Sequence, residues 1–196
     1  ERLLVTSFST GTLQAINRSD NSTQAMVHHL NAPSAAVELE DGSVLVSELA
    51  SGKLLQLSGP ELAQSREVAS GLQGPVQMIK SRSGQIYLTL LSGELARLDP
   101  ADFSLHTVAD GLQLPEGLAE LPDGRLLVAE PSAQRLVSID PETGSKQVSA
   151  EQLPIGLAAG PGMPPTGIPT GLAVDAQGRV YFGSDTNNGL YRLTPQ

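Results

Sequence analysis

Apolar and polar positions alternate along the chain in short runs, and turn residues separate the runs. Two examples are GRLLVAE at 124–130 and GRVYFGS at 178–184, which are short and rich in branched and aromatic residues, a pattern typical of β-strands. Asp-Gly and related pairs between such runs predict hairpins in which both central residues have positive φ. The best helix candidate, PELAQSREVAS at Pro60–Ser70, is short, and we predict at most one helical turn there.

This pattern repeats, and three kinds of landmark recur along the chain. A proline opens a strand of small residues at Pro33, Pro75, Pro115 and Pro169. A turn with glycine follows at Asp41–Gly42, Ser83–Gly84, Asp123–Gly124 and Gln177–Gly178. A polar residue ends the next strand at Ser7, Glu48, Thr89, Glu130 and Asp185. The first four of these polar positions are spaced by 41 residues and the last by 55, which indicates one insertion.

A unit of about four strands repeating near 41 residues predicts an all-β fold, a β-propeller of four-stranded antiparallel blades. We expect one domain over residues 1–196, with units at approximately 1–32, 33–74, 75–114, 115–168 and 169–196. The count gives 18 strands, with three in the first unit and three in the last. We therefore expect the native chain to continue before Glu1 and to close five or six blades. Sheet edges left open would favour self-association.

The composition excludes several classes of partner. The net charge is −9 and no basic residues cluster, so we expect neither nucleic acid nor an anionic membrane surface as a partner. No apolar run approaches the length of a membrane-spanning helix. The chain has no cysteine, which excludes disulfides and thiolate metal sites. We expect a soluble protein, with a periplasmic or secreted location favoured over a cytoplasmic one.

Two segments resemble known families. The segment PTGLAVDAQGRVYFGSDTNNGLYRL at Pro169–Leu193 resembles an NHL repeat, and the matching residues are Pro169, Gly171, Ala173, Val174, Asp175, Gly178, Tyr181, Asp185 and Asn188. The segment GLQLPEGLAELPDGRLLVAE at 111–130 resembles the gluconolactonase and regucalcin-like propellers. The resemblance covers nearly the whole chain and implies a propeller fold. Because propellers carry many functions, it implies the activity less directly.

Ligands of propellers bind over the central channel, where the inner strands begin. The residues after the four prolines, which should face this channel, are Ser34, Val76, Glu116 and Thr170. We predict a channel-face binding site that contains Ser34, Gln77, Glu116, Thr170 and Asp185. The three histidines, His28, His29 and His106, lie in predicted outer strands, so we do not expect a catalytic histidine.

Glu116 is the candidate metal ligand. In the regucalcin-like lactonases the resemblance implies a bound metal, held by carboxylate and Asn ligands, that polarises the lactone and activates water. The family's Pro-Asn-Gly reads Pro115-Glu116-Gly117 here, so Glu116 would be one ligand of Ca²⁺ or another divalent cation. Alternatively, its carboxylate accepts hydrogen bonds from neighbouring backbone N–H groups. The polar residues at the strand ends likewise form either a ring of oxygen ligands or a set of turn caps.

Two classes of function follow from these observations. The first is a non-enzymatic propeller of the NHL type that binds a small molecule or a protein on the channel face. The second is a metal-dependent hydrolase of the lactonase type, or a lyase on the same scaffold. The sequence alone does not separate an enzyme from a binding protein.

Overall fold

A computed structural model describes residues 2–157 and 170–194. The described residues form 18 β-strands and two one-turn 3₁₀ helices, Pro60–Leu62 and Pro131–Ala133. The predicted insertion runs over 157–171, and its residues 158–169 lie outside the described residues, including Pro169, the proline predicted to open the fifth unit.

The strands form five sheets in which neighbours in sequence pair with each other. The first holds β1 (Arg2–Ser7), β2 (Thr12–Asn17) and β3 (Thr23–Val27). The second holds β4 (Pro33–Glu38), β5 (Val44–Glu48), β6 (Lys53–Ser58) and β7 (Gln64–Ala69). The third holds β8 (Pro75–Lys80), β9 (Ile86–Leu90), β10 (Glu94–Leu98) and β11 (Leu105–Ala109). The fourth holds β12 (Leu118–Glu120), β13 (Leu126–Glu130), β14 (Arg135–Ile139) and β15 (Lys146–Ala150), and the fifth holds β16 (Leu172–Val174), β17 (Val180–Gly183) and β18 (Leu190–Leu193).

This arrangement confirms the predicted fold class, an all-β propeller with four-stranded antiparallel blades. Pairs such as β1–β2, β5–β6, β13–β14 and β17–β18 are antiparallel. Among the described residues, the first and last sheets have three strands and the middle three have four, as the strand count from the sequence predicted. Within residues 2–157 and 170–194, no helical segment has the length and hydropathy that spanning a bilayer requires.

Each predicted hairpin forms at its glycine, but the turn differs from the predicted type. In the second sheet the N–H of Leu39 donates to the carbonyl of Ser43, and Gly42 has φ of 79°. Asp41 is not among the residues with positive φ, and its side chain instead accepts a hydrogen bond from the N–H of Ser43 at 2.9 Å. The loop therefore has three residues with a left-handed glycine at its end, which is the next most common hairpin after the two-residue turn.

Two further local predictions can be compared with the structure. The helix candidate forms only the turn Pro60–Leu62, and β7 follows it, so the prediction of at most one helical turn is confirmed. The predicted outer strand that contained His28 and His29 ends earlier, at Val27, and both histidines follow it. His29 has φ of 64°, which is incompatible with continued extended backbone. His106 lies in β11, as predicted.

The chain divides into two compact units, one of Glu1–Tyr87 with Leu98–Leu105 and one of Leu88–Arg97 with His106–Gln196. In the first unit, alternate residues of β2 point to a core that Val44, Val46 and Leu57 complete. Leu13 and Ala15 in β2 have no exposed surface, whereas Gln14 between them is half-buried. This period of two is what one buried sheet face requires.

The core of the second unit joins its fourth and fifth sheets. Leu127, Ala129 and Leu136 pack with Phe182, together with Leu153 and Ile155 from the segment after β15. The ring of Phe182 stacks on that of Tyr191 at 5.2 Å between centroids. The segment 153–155 thus belongs to the core, although it forms no strand.

Candidate functional site

Glu116 lies between Pro115 and β12, and only 1% of its surface is exposed. Its backbone N–H donates to the carbonyl of Ala129 at 3.0 Å, and its own carbonyl accepts the hydroxyl of Thr89 at 2.7 Å. Backbone pairing to β13 therefore continues on the N-terminal side of β12 and holds the N–H of Glu116. Thr89, in β9 of the third sheet, holds its carbonyl.

The structure brings Glu116 and Thr170 together. The backbone N–H of Thr170 donates to Oε2 of Glu116 at 2.6 Å, and only 3% of the surface of Thr170 is exposed. Gly117 permits this approach, since a Cβ there would lie 2.6 Å from the carbonyl oxygen of Thr170. The bond is of the kind expected if Glu116 caps backbone N–H groups.

Thr170 also presents an unsatisfied polar atom. Its Oγ1 is buried and has no hydrogen-bond partner among residues 2–157 and 170–194. A buried hydroxyl without a partner costs free energy, and such groups point to a bound water, ion or ligand. The pair therefore combines a buried carboxylate with a hydroxyl that can still donate or accept.

Ser34 and Gln77 belong to the first unit. The hydroxyl of Ser34 donates to the carbonyl of Pro75 at 2.8 Å and lies 2.9 Å from the hydroxyl of Ser47. Val76 is buried, and Gln77 lies half-buried in β8. The hydroxyl of Ser34 thus already makes hydrogen bonds within its own unit.

Asp185 lies two residues after the end of β17 and binds backbone rather than another side chain. Its Oδ1 accepts the N–H of Gly156 at 2.9 Å, and its Oδ2 accepts the N–H of Leu157 at 2.7 Å. Asp185 therefore acts as a turn cap, the second of the two roles considered for the polar residues at the strand ends. A direct contact of Asp185 with a ligand stays a prediction.

Glu48 and Glu130 cap in a related way, with a partner that the sequence analysis did not identify. Oε1 of Glu48 accepts the N–H of Asn31 at 2.8 Å, and Oε1 of Glu130 accepts that of Gln113 at 2.6 Å. Each partner lies 17 residues earlier in the chain and two residues before a proline. This shared spacing of 17 residues is the sequence feature from which the two capping contacts could have been predicted.

These two caps hold strained backbone. The residues between the capped N–H and the proline, Ala32 and Leu114, have φ of 53° and 51°, a region that residues with a Cβ rarely adopt. Glu130 has no exposed side-chain surface and also accepts Nε of Arg135, so this pairing raises the pKa of Arg135 above its ordinary value. The buried carboxylates at 48 and 130 therefore have structural partners.

The described residues do not form a complete site for a divalent cation. No group of three or more His, Cys, Asp or Glu side chains in the described ranges could hold a metal ion. Ca²⁺ takes about six to eight oxygen ligands. Glu116 and the hydroxyl of Thr170 supply two kinds of donor, and Oε2 of Glu116 already accepts a backbone N–H.

The five sheets form a β-propeller, and Glu116 and Thr170, which lie before the inner strands of the fourth and fifth sheets, form a candidate ligand site. Residues 14–196 match the family described as "SMP-30/Gluconolactonase/LRE-like region". The chain therefore belongs to this family, which confirms the resemblance to the gluconolactonase and regucalcin-like propellers. No protein with a curated description matches the sequence.

Several solved structures share the fold at low sequence identity. The chain is 18% identical to a gluconolactonase from Xanthomonas campestris, with a TM-score of 0.69. The match covers 100% of this chain and 72% of the gluconolactonase. It is 13% identical to virginiamycin B lyase from Staphylococcus aureus, with a TM-score of 0.69, covering 98% of this chain and 66% of that one. A luciferin-regenerating enzyme gives 13% identity and a TM-score of 0.73, covering 98% and 68%. The chain thus spans about two thirds of the lyase's length, and this likeness concerns the fold alone.

Proposed function

We propose that this protein binds a small molecule where Glu116 and Thr170 meet, before the inner strands of the fourth and fifth sheets. The observation that carries the proposal is the hydroxyl of Thr170, which is buried beside the carboxylate of Glu116 and has no hydrogen-bond partner in the described ranges. A ligand group that bonds this hydroxyl would remove the cost of its burial.

The chemistry of the pair indicates the class of ligand. A carboxylate accepts hydrogen bonds or attracts a cation, and a threonine hydroxyl both donates and accepts. The net charge of −9 disfavours anionic ligands. A neutral molecule with several hydroxyl groups, such as a sugar or a sugar lactone, suits these partners best.

Thermal unfolding of the intact chain tests this proposal with δ-gluconolactone as the probe. We expect the lactone to raise the melting temperature of the wild-type protein but not that of Glu116→Gln or Thr170→Val. Glu48→Gln is the matched control, because Glu48 is also a buried carboxylate that accepts a backbone N–H. A lactone effect that persists in Glu116→Gln, or no effect in the wild type, would contradict the proposal.

The second candidate is hydrolysis of a lactone, and membership of the family named in part for gluconolactonase favours it. In this reaction water adds to the acyl carbon and the ring C–O bond breaks, which yields one carboxylic acid and one hydroxyl. Titration of the released acid at constant pH, with and without Ca²⁺ or Mn²⁺, detects it as a rate above that of a protein-free blank, because the lactone also opens spontaneously in water. Binding of the lactone with acid release no faster than the blank in either condition would leave the first candidate.

A lyase on the same scaffold is the remaining alternative, since three of the solved structures that share the fold are named lyases. A lyase cleaves a bond by elimination and consumes no water, so its product carries a new double bond. Mass spectrometry of the products in ¹⁸O-labelled water separates the two: a hydrolase incorporates the label and a lyase does not.

A further inference from the structure

Three consecutive residues after β17, Ser184–Thr186, form hydrogen bonds with the backbone of residues 154–157. The carbonyl oxygen of Pro154 accepts the hydroxyls of Ser184 at 2.5 Å and Thr186 at 2.8 Å. The carboxylate of Asp185 accepts the N–H groups of Gly156 and Leu157. All four bonds join side chains of one loop to the backbone of another, so the segment is fixed whatever its own side chains are.

Residues 154–157 also pack against the core of the second unit and against Pro131. Ile155 has no exposed surface and belongs to the core of the second unit. Gly156 has φ of 90°, and a Cβ there would lie 2.2 Å from the carbonyl oxygen of Pro131. Since Pro131 follows the cap residue Glu130, the segment lies against the end of β13.

Two short series of hydrogen bonds and chain neighbours connect residues 154–157 and Ser184–Thr186 to Glu116. On one side, the N–H of Gly183 donates to the carbonyl of Gly171 at 3.1 Å, and Gly171 follows Thr170, whose N–H binds Glu116. On the other side, Pro131 lies two residues from Ala129, whose carbonyl accepts the N–H of Glu116. A displacement of residues 154–157 would therefore alter the positions of both Glu116 and Thr170.

Asp185 differs from the other capping carboxylates in what it holds. Glu48 and Glu130 each cap an N–H 17 residues earlier, directly before the inner strand of a sheet. Asp185 instead reaches back 28 and 29 residues, to a segment that precedes the predicted insertion. Its two oxygens both accept backbone N–H groups, so the whole carboxylate is used for this contact.

We infer that Asp185 is a positioning residue: by fixing 154–157 it holds Thr170 against Glu116. The ligand that this geometry serves rests on the proposed function, but the positioning itself does not. Loss of the Asp185 carboxylate should free the segment first and then weaken the hydrogen bond from Thr170 to Glu116.

Amide hydrogen exchange of the intact chain, followed by NMR, tests this inference. In Asp185→Ala we expect the amides of Gly156, Leu157 and Thr170 to exchange at least about tenfold faster, since a hydrogen bond to a charged group is lost. Asp185→Glu should retain part of the protection, because glutamate performs the capping at 48 and 130. Unchanged exchange in the ladder between β17 and β18 shows that the effect is local.

Asp175→Asn is the matched control, because Asp175 follows β16 in the fifth unit and bonds Arg179 and Tyr181 rather than residues 154–157. It should leave all three amides unchanged. If Asp185→Ala fails to fold, Ser184→Ala serves instead, because it removes the hydrogen bond to the carbonyl of Pro154. This variant should speed the exchange of the same three amides to a smaller degree. Faster exchange at Gly156 and Leu157 with unchanged exchange at Thr170 would overturn the inference. The exchange needs no ligand, so failure of lactone binding would count against the proposed function alone.

Discussion

The backbone N–H of Thr170 lies 2.6 Å from Oε2 of Glu116, although 54 residues of sequence separate the two. The contact joins matching positions of two successive repeat units, each followed by a glycine. Gly117 has no room for a Cβ, since the nearest atoms would be the carbonyl oxygen of Thr170 at 2.6 Å and Cβ of Leu172 at 2.7 Å. Gly171, by contrast, has nothing within 4 Å of the corresponding point.

The contrast between these glycines gives the first prediction. Gly117→Ala should lower the free energy of unfolding by about 1–3 kcal/mol, because the methyl group forces apart the two segments at the candidate site. Gly171→Ala should change it by no more than about 0.5 kcal/mol. Urea unfolding measures both, and equal effects of the two substitutions would contradict the close approach.

The buried cap at Glu130 gives the second prediction. Glu130→Gln should lower the free energy of unfolding by about 2–4 kcal/mol, because it removes a buried charge that binds Arg135 and the N–H of Gln113. Glu94→Gln is the control, since the partners of Glu94 in the part of the chain that the structure describes are exposed hydroxyls, those of Ser92 and Thr107. Chemical denaturation should show a change within about 0.5 kcal/mol for the control. A cost for Glu130→Gln as small as this would show that the cap contributes little.

The core of the second unit gives the third prediction. Phe182 is 1% exposed and packs between the fourth and fifth sheets, so Phe182→Ala should lower the free energy of unfolding by about 3–5 kcal/mol. Phe8 is 55% exposed, and Phe8→Ala should have an effect below about 1 kcal/mol. Calorimetric unfolding separates the two outcomes, and a small loss for Phe182→Ala would place it outside the core.

Asp175 gives the fourth prediction, which concerns pH. Burial opposes ionisation of this carboxyl, but hydrogen bonds from the side chain and backbone of Arg179 and from Tyr181 outweigh it and hold the pKa below its ordinary value of 3.8. A carboxyl whose pKa is lowered by folding stabilises the native state above 3.8 and loses this contribution as the pH falls through the folded pKa. The difference in stability between wild type and Asp175→Asn should therefore shrink from pH 6 towards pH 2.

Urea midpoints across this range measure that difference. Because other carboxyls such as Asp41 also have lowered pKa values, the wild-type curve alone does not isolate Asp175. Phe8→Ala, at an exposed position without an ionisable group, should keep a constant difference from wild type. A difference between wild type and Asp175→Asn that is equally constant would contradict the role of Asp175.

The repeat made most of the fold predictable. Strand ends recur at positions such as Glu48 and Glu130 because each unit must turn at the same point to keep one face buried, and this imposes the spacing of 41. Turn type was less predictable, because a glycine such as Gly42 fits both a two-residue and a three-residue loop. The side chain of Asp41 caps the longer loop, but the same loop forms at Ser83–Gly84 without an aspartate, so the residue before the glycine does not decide the loop length.

The candidate site was predictable by position but not by contact. The proline landmarks identified Glu116 and Thr170 as matching positions, yet nothing local in the sequence sets the 2.6 Å bond between them. Asp185 showed the reverse: its polarity was evident, but its partners Gly156 and Leu157 precede an insertion without a counterpart in the other units. Pairings across such an insertion depend on tertiary packing rather than on the repeat.

The most direct test of ligand binding at Glu116 and Thr170 is an NMR titration of the intact protein with δ-gluconolactone. We predict that the largest changes in amide chemical shift occur at Gly117 and Thr170 and that Glu116→Gln abolishes them. Changes centred instead on the hairpin glycines, such as Gly42 and Gly124, or an absence of any change at saturating lactone, would contradict it.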